Sequence, residues 1–396
     1  MTLTLEDIGR MAGVSRSTVS RVINGDDNVR PEVRQRVHDV VRRTGYAPNA
    51  AARSLASSRT GVIGLVIPSR VHDLFEDPYF ARLIQGISTA SNAAGITLSL
   101  FLFQSEHEER ELYPRVVESG FIDGLIITAT RMGDPLLAHL LDSGMPLVVV
   151  GRPDTDGVSY VDVDNLGGGR AVASHLWDLG HRRIALLAAP SNTTAGLDRS
   201  QGFVDGLADA GGVLDPALRV EGDFSEASGY RGMQRLLPLH PEAVFVASDT
   251  MARGALRALR EQGLDVPADI ALVGFDDISR GMAETWLTTV RQPVADSGGH
   301  AVRLLNELIR NKDAVARREI MPVELVVRGS SDPSRTRRGS GSGTVVPAGR
   351  TARSPRADTR DAQTPRTAHG PSPSDQTTND DSPVTTTRPG NRGTPT

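Results

Sequence analysis

The chain has 396 residues, a formal net charge of −4, 38% hydrophobic side chains and no cysteine. Length alone leaves room for about two domains, at roughly 100–200 residues each, and the missing thiols exclude disulfides and thiolate metal sites. Near the start Glu6 and Asp7 stand where an export signal needs bases, and no run approaches the roughly 18 apolar residues of a membrane span, so a soluble cytoplasmic protein is expected.

The net charge hides an asymmetry. Residues 1–60 carry 10 arginines against 6 acids, residues 61–329 carry 24 basic against 36 acidic side chains, and residues 330–396 carry 10 arginines against 6 aspartates. A basic first segment on an acidic body suits a nucleic-acid module attached to a domain that DNA would repel. An excess of four charges also fits chance.

Three short helices are predicted over residues 4–44. Thr4, with Asp7 three residues on, forms a capping box ahead of the apolar positions Leu5, Ile8, Met11 and Ala12. Gly13-Val14 makes a tight turn, and Ser15 caps a second helix with Val19, Val22 and Ile23 inward, stopped by Asn24-Gly25. Pro31 opens a third helix with Val33, Val37, Val40 and Val41 inward, ended by Gly45. Two helices joined by a short glycine turn and braced by a third read as helix-turn-helix. The second helix leaves Arg16, Ser17, Ser20 and Arg21 outward, a set suited to base edges and phosphates in a major groove. By pattern alone it also fits a solvated amphipathic helix.

From Thr60 the texture changes. Continuous apolar runs recur at Val62–Ile67, Thr97–Phe103, Gly124–Thr128, Pro146–Val150, Ile184–Ala188, Ala243–Ala247 and Ile270–Phe275, with helical patterns such as Phe80–Ala94 and Ala171–Leu179 between them. That alternation predicts parallel sheets covered on both faces, over a length that suits two α/β lobes. After Gly329 the composition turns to Ser, Thr, Pro, Gly, Arg and Asp without an aromatic residue, which predicts a disordered tail over 330–396.

The run Leu5-Glu6-Asp7-Ile8-Gly9-Arg10-Met11-Ala12-Gly13-Val14-Ser15, followed by Thr18-Val19-Ser20-Arg21-Val22-Ile23-Asn24, resembles the headpiece of the lactose/purine repressor family of bacterial transcriptional regulators. The likeness continues through Tyr46-Ala47-Pro48-Asn49-Ala50-Ala51-Ala52-Arg53-Ser54-Leu55-Ala56, which resembles that family's hinge helix, and extends to about residue 329. It implies a headpiece over 1–47, a hinge helix and linker over 48–60, and a core over 61–329 of the periplasmic-binding-protein kind. The core's N-lobe would take about 61–161 and 291–320, and its C-lobe about 162–290 and 321–329.

The resemblance also assigns roles. Arg16, Ser17 and Arg21 would meet base edges of double-stranded operator DNA, with Ser15 and Ser20 beside them. Leu55 would wedge into the minor groove, with Asn49, Ala52 and Arg53 alongside, and an apolar wedge of that kind kinks a duplex at a cost of roughly a few kcal/mol. In the core, Arg199, Asp164 and Asp276 would hydrogen-bond a small effector, most simply a sugar. Phe224 would stack on it, and Tyr79, Phe80, Ser248 and Asp249 would line the cleft. Taken without the resemblance, Phe224 and Tyr79 fit a core equally well, and Asp249 and Asp276 fit helix caps. A one-residue shift to Asp162 would displace Asp164. The long acidic loop Ser69–Asp77 matches no family pattern and, from its length and charge, would help set specificity.

A pseudo-palindromic operator implies a homodimer, and the leucine-free tail lacks the heptads that make tetramers. No phosphate-loop motif occurs, Lys312 is the sole lysine, and Gly167-Gly168-Gly169 lacks dinucleotide spacing; it suits a closely packed helix start instead. The 9 histidines lack metal-type spacing. No cofactor, metal or catalytic residue is expected, and an enzyme or an exported solute binder fits less well than a regulator.

Overall fold

The computed structural model describes the chain except residues 1–2, 24–25, 27, 47–58, 68–76, 103–106, 109–110, 112–116, 118–119, 129, 279–285, 312, 333–343 and 348–396. The first three helices are α1 (Leu5–Ala12), α2 (Arg16–Ile23) and α3 (Pro31–Thr44). The capping box on α1 is reciprocal, since the Thr4 side chain accepts from the Asp7 amide and the Asp7 carboxylate accepts from the Thr4 amide. Gly13, in the left-handed region at φ 66°, ends α1, and the Ser15 hydroxyl accepts from the Thr18 amide to open α2. Ile8, Ala12, Val19, Val22, Val29, Val37 and Val40 close a small core between the three helices.

Two sheets follow. The first holds β1 (Val62–Ile67), β2 (Thr97–Leu102), β3 (Gly124–Thr128), β4 (Leu147–Val150), β5 (Ser159–Val163) and β11 (Arg318–Met321), in the order β11-β5-β4-β3-β1-β2, with every pairing parallel. The second holds β6 (Ile184–Ala188), β7 (Arg219–Glu221), β8 (Ala243–Val246), β9 (Ala271–Asp276), β10 (Thr288–Arg291), β12 (Glu324–Val327) and β13 (Thr344–Pro347), in the order β13-β12-β10-β9-β8-β6-β7. Its strands β6 to β10 pair in parallel, and β12 runs antiparallel to both β10 and β13. The first sheet is faced by α4 (Pro78–Ala93), α5 (Pro135–Asp142) and α10 (Val294–Arg310). The second is faced by α6 (Asn165–Asp178), α7 (Thr194–Asp209), α8 (Glu226–Leu236) and α9 (Asp249–Glu261). Apolar clusters lie on both faces of each sheet, so strands such as β3 and β8 are buried along their whole length.

The chain passes between the sheets after Val163, after Arg291 and after Met321. The first sheet thus keeps β5 and β11 slightly beyond the expected limits of 161 and 320. Strands β5, β7, β10, β11 and β12 escape a search for continuous apolar runs because polar residues interrupt them, as in Ser-Tyr-Val-Asp-Val and Thr-Thr-Val-Arg.

The expected tail is corrected at its near end. Ser330 and Ser331 are buried. The Ser330 hydroxyl donates to the Leu272 carbonyl at 2.6 Å and accepts from the Thr288 amide at 2.7 Å. Backbone pairing of Thr344–Pro347 with β12 carries the fold further still. A serine that meets a strand's exposed polar groups is core by hydrogen bonding, which hydrophobic composition does not register.

The glycine run places the helix that matters for the site. A Cβ on Gly169 of α6 would lie 2.4 Å from the Arg199 carbonyl on α7, and one on Gly202 would lie 2.1 Å from the Leu166 carbonyl. Backbone against backbone leaves no flexible group to yield. Gly169→Ala is therefore expected to destabilise the protein by about 1–3 kcal/mol, the usual overpacking cost, and to weaken ligand binding by displacing Arg199. Thermal melts and ligand titration check both effects; an unchanged variant would show that the two helices can part freely.

Candidate functional site

On α2, Val19 and Val22 are buried while Arg16, Ser17 and Arg21 are exposed and Ser20 is half-buried. The Ser15 hydroxyl lies 2.8 Å from that of Ser17 and 2.9 Å from that of Thr18, so the helix start is internally hydrogen-bonded. Arg21 faces Asp26 at 3.9 Å, with its side chain 62% exposed. An exposed pair at that distance is worth well under about 1 kcal/mol, so the guanidinium can exchange it for a nucleotide. Asn49, Ala52, Arg53 and Leu55 lie outside the described residues.

Between the lobes, the side chains converge on Arg199. It sits in the second turn of α7, which starts at Thr194 behind the Thr193 cap. Arg199 is 5% exposed. Its Nε donates to Asn165 Oδ1 at 2.9 Å, and its Nη1 donates to the Ala247 carbonyl at 2.7 Å and to Asp276 at 3.2 Å. The guanidinium plane lies 3.8 Å over the Phe275 ring. Among the described residues Nη2 has no protein hydrogen-bond partner, which leaves a rigid, charged donor for a ligand.

Asp276 ends β9 at φ 119° and Asp277 follows at φ 56°, two successive non-glycine residues at positive φ. The strain is held from outside. Asp277 accepts from Arg291 at 2.7 Å and pairs with Arg328 at 2.7 Å, while Gln292, in the second crossover, donates to Asp276. Burial lifts the Asp276 carboxyl to about 7, against the pull of Arg199 and with Asp77 adding to the rise.

Asp164 caps α6 by accepting from the Gly167 amide at 2.7 Å. Its neighbour Asp162 is the more enclosed carboxylate. It is buried in β5, accepts from Asn165 Nδ2 at 3.1 Å, and is lifted by burial to about 6. Asn165 thereby bridges Asp162 and Arg199. Phe80 packs in the first lobe's core, and Tyr79 stands edge-on to it at 5.4 Å with its phenol proton held more tightly than usual, by burial first and by Asp276 next. Ser248 caps α9 by accepting from the Met251 amide at 3.2 Å. Asp249 is buried, accepting from the Ile278 amide at 2.9 Å and from Thr289 at 2.6 Å, which ties α9 to the loop after β9. Phe224, at φ 68°, packs against the second lobe's core.

Among the described residues hydrogen bonds cross the gap at several points, the Met132 amide donating to the Asn192 carbonyl at 2.8 Å among them. Arg152, after β4, grips Asp198 of α7 through Nη2 at 2.7 Å to both oxygens, the Thr194 hydroxyl donates to the Arg152 carbonyl, and Thr250 of α9 donates to Asp77 at 3.1 Å. Asp77, at the far end of the acidic loop, also caps α4; residues 68–76 lie outside the described residues. Asn165, Gln292, Asp277 and the Arg152–Asp198 pair were not singled out from sequence. The signals available were an Asn directly after an aspartate-bearing strand and a Gln beside a crossover proline. Among the described residues no cluster of His, Cys, Asp and Glu could hold a metal ion, and no helix is long and apolar enough to cross a membrane.

The raised carboxyls have a testable consequence. Asp162 and Asp276 keep a proton in the folded protein at pH values where the unfolded chain, with its ordinary 3.8, has lost it. Their contribution to stability is full below 3.8 and is lost as pH rises through about 6 to 7. The melting temperature of the ligand-free protein is expected to fall across that window, and Asp276→Asn to remove the upper part of the fall. A melting curve against pH with the same slope in both proteins would refute this.

The family model for bacterial regulatory proteins, lacI family, matches residues 4–49, and that for a periplasmic binding protein-like domain matches residues 173–331. The chain is 40% identical to the HTH-type transcriptional regulator CelR of Thermobifida fusca over 335 residues, covering 83% of this chain and 98% of that one. It is 35% identical to the HTH-type transcriptional repressor PurR of Mannheimia succiniciproducens, with 83% and 98% covered. Among solved structures, the transcriptional regulator CelR–cellobiose complex matches at TM-score 0.66 and 38% identity, covering 83% of this chain and 100% of that one. The lac repressor dimer bound to operator and the anti-inducer ONPF matches at TM-score 0.72 and 29% identity, with 84% and 99% covered.

Proposed function

The chain belongs to the lacI family of bacterial regulatory proteins and is a transcriptional regulator, not an enzyme, and on that footing we propose that it is a cytoplasmic repressor that grips a pseudo-palindromic operator as a homodimer and responds to a sugar. One observation carries the reading. The same chain presents an outward arginine–serine helix face and a buried guanidinium between two lobes with one donor nitrogen unspent among the described residues.

On the DNA side, Arg16 and Arg21 supply forked donors for guanine edges, and Ser15, Ser17 and Ser20 supply hydroxyls for bases or phosphates. Leu55, with Asn49, Ala52 and Arg53, is carried over from the family's hinge sequence as the minor-groove wedge. On the effector side, Arg199 and Asp276 hold the ligand's hydroxyls, and the relatives named for cellobiose and for the lac system support a saccharide. A sugar is met by charge-assisted hydrogen bonds around its rim. Regulation is linkage: effector and operator favour different arrangements of the lobes, and the three crossovers and the Arg152–Asp198 grip set the balance.

Fluorescence anisotropy with promoter duplexes, in the presence and absence of neutral saccharides such as cellobiose, tests this. Selective binding to one duplex, altered by one saccharide, is expected. Equal grip on random duplexes at moderate salt would overturn it.

A further inference from the structure

Resting on the saccharide reading just given, we infer that the cleft is built to admit an uncharged polyhydroxylated ligand and to refuse an anionic one, with Asp162 of the first lobe and Asp276 of the second as the paired selecting groups. The charge inventory around Arg199 decides it. Two buried carboxylates, one from each sheet, share this single guanidinium, Asp276 directly at 3.2 Å and Asp162 through Asn165. Every other cation described nearby is already matched. Arg152 is gripped by Asp198 with 2.7 Å contacts, and Arg291 and Arg328 converge on Asp277, with Glu324 at 3.8 Å from Arg291. Asp77, which accepts from Thr250 across the lobes, adds negative charge, and Asp249 has both oxygens engaged by Ile278 and Thr289.

An anion entering this cleft would find its one cation spent on protein acceptors through Nε and Nη1 and flanked by acids. A hydroxyl does the reverse. It donates to a carboxylate oxygen and accepts from Nη2, so it gains from both signs without adding charge. Closure brings the two lobes' acids onto one ligand, which makes a phosphate or uronate worse as the lobes approach. Above about pH 8, where both carboxyls have lost their protons, charges about 6 Å apart at an effective dielectric near 20 set a penalty of roughly a hundredfold in affinity.

The test is calorimetry and thermal shift on the full-length protein with matched pairs: glucose and its disaccharides, glucose 6-phosphate and glucuronate, and hypoxanthine as an uncharged heterocycle. At about pH 8.5 neutral saccharides are expected to bind and their anionic counterparts to bind about a hundredfold more weakly, with a deficit that shrinks as pH is lowered through about 7 to 6, where the two carboxyls take up protons. Asp162→Asn is expected to narrow the ratio at least about tenfold, because an amide keeps the acceptor and drops the charge; Asp276→Asn serves where the first variant does not fold. An anionic saccharide binding as tightly as its neutral partner, or a ratio unmoved by either variant, would overturn the inference and leave the saccharide reading standing. Binding of hypoxanthine with no response to any saccharide would instead overturn the saccharide reading itself.

Discussion

Arg199→Ala is expected to lower stability by about 3–5 kcal/mol, the cost of breaking a buried ion pair, and to weaken effector binding at least about a hundredfold. Three acceptors lose the guanidinium at once: Asn165 Oδ1, the Ala247 carbonyl and Asp276 Oδ1, which keeps only Gln292 as a donor. Asp276 then has burial pushing its carboxyl up with no cation opposing it, so it takes a proton over a wider pH range. Arg199→Lys is no rescue. One ammonium cannot reach three acceptors in different directions, and it cannot lie flat on Phe275. Melting and titration of both variants against wild type provide the measurement. A variant that keeps wild-type ligand affinity would move the effector site elsewhere.

The second large effect lies in the headpiece. Arg16→Ala with Arg21→Ala is expected to cost about 1–3 kcal/mol per arginine in operator binding, or roughly thirtyfold to twenty-thousandfold together. Both side chains are exposed, and neither belongs to the apolar cluster of Ile8, Val19, Val22 and Val37. The headpiece should therefore remain folded, and the effector affinity of the core should not move. The readout is the ratio of operator to random-duplex binding at fixed salt. If the double variant keeps that ratio, base reading lies outside α2.

The headpiece was readable because its determinants are local. A reciprocal Thr4–Asp7 box, a left-handed Gly13, a Ser15 cap and valines spaced three and four apart each act within one or two turns. The central strands were readable for a related reason, since a strand buried on both faces must be apolar throughout. Strands with mixed composition depend on neighbours for burial. Asp162 can sit inside β5 because Asn165, from the next helix, meets its oxygen. Ser330 counts as core because it meets backbone groups of Leu272 and Thr288.

The proposed effector site lies between these cases. Arg199, Asp276 and Asp164 were named from family likeness, yet the local sequence could not say which of Asp162 and Asp164 is enclosed. Asp164 follows the strand and serves the Gly167 amide; Asp162 lies within it and is buried. Two positions apart on the chain, they differ by the sheet that covers one of them. The same holds for Asp249, whose place directly after Ser248 suggests a cleft residue. Contacts from Ile278 and Thr289, 29 and 40 residues away, engage both of its oxygens inside the protein.

Sequence by itself determined the three-helix headpiece, the outward arginines of α2 and the alternation that builds two parallel sheets, because caps, turns and periodic apolar faces act over a few residues. Tertiary structure alone decided the charge balance of the cleft, the crossover Gln292 on Asp276 and the grip of Arg152 on Asp198. Burial and electrostatic partnership depend on distances between segments far apart on the chain, and only the packing of glycine-lined helices such as α6 against α7 sets those distances.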